Sequence, residues 1–267
     1  MWIDTHCHLD AAEFGGRQMQ LVAQAAEQGV SRIVVPAVAP SNFDAVAGLA
    51  AADSRCVYAL GIHPLYVAEA REDDLARLRA AVERAIMDLR FVAIGEIGLD
   101  FFVPELRDGP LREKQEFFFS EQLKIARDFE LPVLLHVRRA QDVVLKHLRR
   151  IGVRGGIAHA FNGSFQQAQR FIELGFRLGF GGAMTYPRAL QLRRLASQLP
   201  LEAIVLETDA PDIAPSWLHP QPNRPDQIPR IGTMLAELRG LPLAVVAECT
   251  GANAVMAIPR LERMAAV

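Results

Sequence analysis

A chain of 267 residues with 51% hydrophobic content can bury one large core, and its formal charge of -2 excludes a generally basic protein that coats nucleic acid. Three scattered cysteines, Cys7, Cys56 and Cys249, show no CxxC spacing; they exclude a disulfide framework and a zinc knuckle and suit a reducing cytosol. Asp4, His6, His8 and Asp10 interrupt any apolar leader, and no run of roughly 18 apolar residues occurs, so a soluble cytoplasmic protein with no membrane association is expected.

In chain order, eight short apolar runs rich in Val, Ile and Phe read as strands: Trp2 to His8, Arg32 to Val38, Val57 to His63, Phe91 to Ile97, Pro132 to Val137, Gly156 to Phe161, Phe176 to Met184 and Ala203 to Asp209. Between them, Gln18 to Gln28, Asp74 to Leu89, Lys114 to Phe129, Phe165 to Leu174 and Leu190 to Leu199 carry apolar residues at three- and four-residue intervals, the spacing of helices with one buried face. This alternation predicts an α/β fold, a (β/α)8 barrel. No linker, repeat or low-complexity tract divides it, so residues 1–267 are expected to form a single domain.

A barrel of this kind places its chemistry at the C-terminal ends of the strands. His6 and His8 end the first run, His63 the third, Glu96 lies near the end of the fourth, and His136, His159 and Asp209 end the fifth, sixth and eighth. Five of the seven histidines thus fall at strand ends; His147 and His219 do not. On a strand, positions i and i+2 share a face, so His6 and His8 converge while Cys7 points away. Ionisable groups at a packed mouth are costly unless paired or liganded. Four histidines and two carboxylates supply enough ligands for two divalent ions if Glu96 bridges: His6, His8, Glu96 and Asp209 for one, and Glu96, His136 and His159 for the other.

With those residues in place, DTHCHLD, GIHP, GEIGLDFF, LPVLLHVR, IAHAFNGS and LETDAP resemble, in order, motifs of the TatD family of metal-dependent deoxyribonucleases, over nearly the whole chain. The resemblance implies a single-domain distorted TIM barrel of the metallo-dependent hydrolase type. It also implies a dinuclear centre on His6, His8, Glu96, His136, His159 and Asp209. The segments HVRRA, GGAMTYPRA and QPNRPDQIP are similar to a YjjV-like branch. Leu65 stands where the family commonly has a second His, and Arg139 where it commonly has Asp, both beside the expected substrate path.

The expected reaction is hydrolysis of a phosphodiester by a metal-activated water, as in a deoxyribonuclease acting 3′ to 5′ on single-stranded DNA, with Asp209 taking the water's proton. His63 lies outside both ligand sets and is expected to contact substrate. Arg138 and Arg139 can reach an anion, and Trp217, in the Pro-rich loop Ala210 to Arg230, can stack on a base. Glu207 shares a face with Asp209 and can orient a ligand or hold an arginine, whereas Asp10 and Asp100 read as turn caps. Two divalent cations (Mg, Mn or Zn) are the expected cofactors, DNA or a small phosphate-containing substrate the expected partner, and no obligate protein partner is evident. A small-molecule phosphoesterase, lactonase or amidohydrolase could use the same centre, although no strand end offers the lysine that amidohydrolases often carboxylate to bridge their metals. A binding scaffold with structural metals is the non-enzymatic alternative.

Overall fold

The computed structural model describes residues 1–264; the last three residues of the span assigned to one domain, 265–267, lie outside the described ones. Eight parallel strands follow one another around the sheet in sequence order: β1 (Trp2–Asp4), β2 (Val30–Pro36), β3 (Cys56–Leu60), β4 (Phe91–Asp100), β5 (Val133–Arg138), β6 (Gly156–Ala158), β7 (Phe176–Phe180) and β8 (Ile204–Leu206). The helices between them are α1 (Gln18–Glu27), α2 (Phe43–Ala52), α3 (Asp73–Ala85), α4 (Pro104–Arg107), α5 (Gly109–Asp128), α6 (Gln141–Ile151), α7 (Phe165–Glu173), α8 (Leu190–Gln198), α9 (Ile228–Arg239) and α10 (Leu243–Ala257).

Alternation along the strands sorts the core into two layers. Ile3, Val34, Val57, Val92, Leu134, Ile157 and Val205 form one cluster, joined by Ala254, Ala257, Ile258 and Leu261 from the end of α10 and the turn after it. Neighbours such as Ile33, Val35, Val133 and Leu135 belong to a second cluster with the apolar faces of the helices, among them Val22, Leu78, Leu123, Phe171 and Leu195. Local chemistry sets the helix ends. Ser164 and Gln167 form a reciprocal capping box at the start of α7, and Gly152 takes the left-handed conformation that closes α6.

Five of the strands, β1, β3, β6, β7 and β8, are shorter than the apolar runs suggest, whereas β4 runs on past Ile97 to Asp100. β1 ends at Asp4, β3 at Leu60, β6 at Ala158 and β8 at Leu206. His6, His8, His63, His159 and Asp209 therefore sit in the segments just beyond the strands, while Glu96 and His136 are on β4 and β5. The barrel is nearly closed: β8 and β1 share no regular ladder, and their seam is made by backbone bonds from Thr5 to Leu206, from His8 to Ala210 and from Asp209 to His6, with a single parallel bridge between Cys7 and Ala210. No single helix among the described residues is long and apolar enough to cross a membrane.

Candidate metal centre

Glu96 is placed by an irregularity in β4. Its pairing register with β5 slips between Ile94 and Ile97, so Gly95 and Glu96 stand outside the regular ladder, and the Glu96 N–H instead donates to Ala37 O at 2.9 Å, beyond the end of β2. Gly61 permits this path, because a Cβ there would lie 2.7 Å from the Gly95 carbonyl carbon. The carboxylate ends in the middle of five imidazoles and is 1% exposed.

Its two oxygens face different partners. Oε2 lies 3.1 Å from His6 Nε2 and 3.3 Å from His8 Nε2. Oε1 lies 2.9 Å from His159 Nε2, 3.0 Å from His136 Nδ1 and 3.2 Å from His63 Nε2. Asp209 Oδ1 completes the first side at 3.7 Å from both His6 Nε2 and His8 Nε2. The six residues expected to hold metal thus come together, with one carboxylate oxygen turned to each half of the set.

His63 also enters this cluster, although the sequence places it outside both ligand sets. The Leu65 N–H donates to His63 Nδ1 at 3.1 Å, so in the neutral ring the proton sits on Nε2 and points at Glu96. Burial keeps that ring neutral, pushing its pKa down to about 4. A lone pair at Nε2 is what ligation would need. His63 is therefore a hydrogen-bond donor within the centre, despite standing within ligand distance of Glu96 and His136.

His136 is held between two carboxylates. Its Nε2 lies 3.0 Å from Asp100 Oδ2 and its Nδ1 3.0 Å from Glu96 Oε1, so Asp100 fixes the ring with Nδ1 turned inward to the centre, the nitrogen that would ligate a metal once deprotonated. Asp100 does cap the turn after β4, its Oδ1 accepting the N–H groups of Phe102 and Val103. Its other oxygen performs the second task, which the sequence reading missed. The register of β4 against β5 sets Gly98 opposite His136 and Asp100 opposite Arg138, so β4 carries both carboxylates that bracket the ring. Outer carboxylates of this type raise metal affinity by orienting the ligand. Asp100→Asn is expected to weaken divalent-metal binding about 10- to 100-fold, measured by metal titration of the stripped protein, while the circular dichroism spectrum stays that of the parent.

Around His159 the support is looser. Glu207 accepts the Ala160 N–H, and its Oε1 lies 3.7 Å from His159 Nδ1. It fits there because a Cβ at Gly179 would lie 2.1 Å from Glu207 Oε2. Arg139, Ala160 and Asp209 all have positive φ, at 55°, 43° and 56°, so non-glycine residues hold left-handed turns where β5, β6 and β8 give way to the site.

Asp4 was absent from the sequence reading of the site. It is fully buried, and its carboxylate accepts the N–H groups of His6 and Thr208 and the Thr208 hydroxyl. It thereby ties the backbone before His8 to the backbone before Asp209. The sequence signal for it was its position two residues before His6, in an apolar run where a carboxylate is costly.

The remaining residues behave differently from one another. Arg138 and Arg139 lie over the ring of Phe102, and Arg138 approaches Asp100. Trp217 donates its indole N–H to Gln227 Oε1 at 2.9 Å and has the Arg230 guanidinium 4.3 Å from the ring centroid, so the side chain is engaged in the packing of its own loop. Cys7 is buried, and Asp10 accepts from Asn42.

The donor set suits divalent cations. His6 Nε2 and His8 Nε2 are 3.3 Å apart and both face Glu96 Oε2, while His159 Nε2 and His136 Nδ1 are 3.5 Å apart and both face Oε1. Inward ring nitrogens crowd together around one carboxylate in a buried space, an arrangement that a divalent cation stabilises in place of their protons. Burial also pushes His6 down to about 3, so it remains a neutral nitrogen donor. Three groups, His6 with His8 and Asp209, His6 with Glu96 and His159, and His63 with Glu96 and His136, bring ligand atoms within 4.8 Å of one another.

The comparisons agree with this geometry. Residues 3–258 match the family described as TatD related DNase. The chain is 43% identical over 248 residues to the uncharacterized metal-dependent hydrolase YjjV of Escherichia coli K12, covering 92% of this chain and 93% of that one. It is 31% identical over 261 residues to the 3′-5′ ssDNA/RNA exonuclease TatD of Shigella flexneri, covering 94% and 96%. The crystal structure of Escherichia coli YjjV superposes with a TM-score of 0.91 at 41% identity, over 97% of this chain and 98% of that one. A nearly closed barrel with a buried carboxylate among imidazoles at its mouth, and a family match along almost its entire length, make this chain a metal-dependent hydrolase of the TatD family.

Proposed function

We propose that this hydrolase cleaves phosphodiester bonds in single-stranded DNA, removing nucleotides from the 3′ end with two divalent cations as cofactors. The observation that supports it best is Glu96, buried with one oxygen toward His6 and His8 and the other toward His136 and His159. The kinship with an exonuclease named for single-stranded substrates adds to it. Held by His6, His8, Glu96, His136, His159 and Asp209, divalent ions such as Mg, Mn or Zn would supply a water of lowered pKa and an electrophilic seat for phosphoryl oxygens.

The protein's own groups do the rest. Asp209 is buried, which raises its carboxyl to about 6, and its Oδ1 faces the same space as the Nε2 atoms of His6 and His8, where it can take a proton from the attacking water. His63 presents a neutral Nε2–H to a phosphoryl or leaving-group oxygen entering beside Glu96. Asp209→Asn is expected to lower kcat by about 10²- to 10⁴-fold in a steady-state assay. Full activity at full metal content would remove Asp209 from the role of base.

The substrate assignment is tested by stripping the protein, reloading it with Mg, Mn or Zn, and offering a 5′-labelled single-stranded oligonucleotide alongside small phosphate esters, lactones and amides. A ladder shortening from the 3′ end is expected. Turnover confined to the small molecules would replace the nuclease reading with the phosphoesterase, lactonase or amidohydrolase one.

A further inference from the structure

Phe102, just past the end of β4, is 43% exposed at the mouth of the barrel. The guanidinium carbon of Arg138 lies 3.7 Å from its ring centroid and that of Arg139 lies 4.6 Å from it. Consecutive residues on a strand point to opposite faces, so two neighbouring arginines do not ordinarily meet one ring. Here the left-handed conformation of Arg139, with φ 55°, breaks the strand pattern and allows it.

Bringing two like charges onto one ring is unfavourable unless something neutralises them. The nearest carboxylate is Asp100, whose Oδ2 lies 3.8 Å from Arg138 Nη1. Asp100 shares that oxygen with His136 Nε2 and brings one negative charge to face two guanidiniums. Among the described residues Arg139 has no carboxylate within ion-pair distance. The stack therefore carries uncompensated positive charge, immediately outside His136. On the adjoining strand end, Leu65 and Tyr66 are 44% and 46% exposed and add apolar surface beside His63.

We propose that Phe102, Arg138 and Arg139 form a subsite for a second anionic group of the substrate, a phosphate one step along the chain from the phosphodiester being cleaved. This rests on the phosphodiesterase reading and sharpens it. The rest of the substrate lies over the ends of β3, β4 and β5, with its sugar or base against Leu65 and Tyr66. Guanidiniums braced on an aromatic ring are already oriented for a phosphate, which two parallel N–H groups of one guanidinium can grip. Arg138 answers to both Asp100 and the substrate. Arg139, bound to neither Asp100 nor the metal ligands, is the residue through which the subsite is best tested.

The test uses the thymidine dinucleotide dTpdT and its two forms with one terminal phosphate, pdTpdT and dTpdTp. Calorimetry on the protein as purified is expected to show one of the phosphorylated forms binding about tenfold more tightly than dTpdT. Arg139→Ala should abolish that preference, Phe102→Leu should reduce it, and Arg139→Lys should retain part of it. Equal affinity for all three ligands in the wild type, or a preference that survives in Arg139→Ala, would overturn the subsite. Turnover of the same dinucleotides by the metal-loaded enzyme is read separately: failure to cleave any of them counts against the phosphodiesterase reading, whereas a persisting binding preference upholds the anion subsite. The comparison between ligands guards against a structural artefact, since a misfolded variant would lose affinity for all three alike.

Discussion

Glu96→Gln is expected to empty the centre: bound metal after dialysis should fall by at least about 100-fold in affinity, taking hydrolysis with it. This floor follows from the 10- to 100-fold losses seen when only an outer partner of a ligand is removed, and Glu96 touches five imidazoles directly. A glutamine keeps the shape but offers one carbonyl oxygen in place of two carboxylate oxygens. Its amide group would present protons to one half of the histidines, where lone pairs are needed. The surrounding nitrogens hold the wild-type carboxyl well below the usual carboxylate range despite its burial, so the group is charged in the resting protein. Metal content by plasma mass spectrometry checks the first part of the prediction and a circular dichroism spectrum checks the fold. Wild-type metal content with wild-type turnover would show that Glu96 is dispensable.

Asp4→Ala is expected to have the largest effect on stability, a loss of about 3 kcal/mol in urea unfolding. The substitution strands the buried N–H groups of His6 and Thr208 and the Thr208 hydroxyl, each of which donates to this carboxylate. A buried donor left without an acceptor costs its full desolvation, roughly 1–3 kcal/mol. The same change loosens the seam between β8 and β1, where few backbone bonds replace a ladder. Since His6 and Asp209 are the residues tied across that seam, metal affinity should fall with stability. The melting temperature should drop by about 6–12 °C for a chain of this size. A variant as stable as the parent would mean that the backbone bonds alone close the barrel.

The eight strands were legible because each is a short apolar run flanked by turn residues, and a parallel sheet buried on both faces leaves that mark in any chain. Five helices were legible by their apolar spacing. α2, α4, α6, α9 and α10 were not among them; in α10 apolar residues surround much of the helix, its Val246 and Ala254 buried while Met256 is exposed. Strand ends were the weak point. The apolar runs continue through His6, His63, His159 and Asp209, but the backbone leaves the ladder before them in order to turn the side chains inward.

Residue type and order along the chain determined the barrel, its metal-binding character and the six residues that meet at its mouth, because a histidine or carboxylate ending an apolar strand has few other uses. Only the tertiary structure decided how those residues are oriented. The Leu65 N–H sets the tautomer of His63, Asp100 fixes the orientation of the His136 ring, and the slipped register of β4 aims Glu96. Phe102 and its two arginines likewise became a unit only through the left-handed turn at Arg139. These are relations between atoms brought together from separate strands and loops, and hydrogen-bond direction and close approach depend on distances that spacing along one chain does not encode.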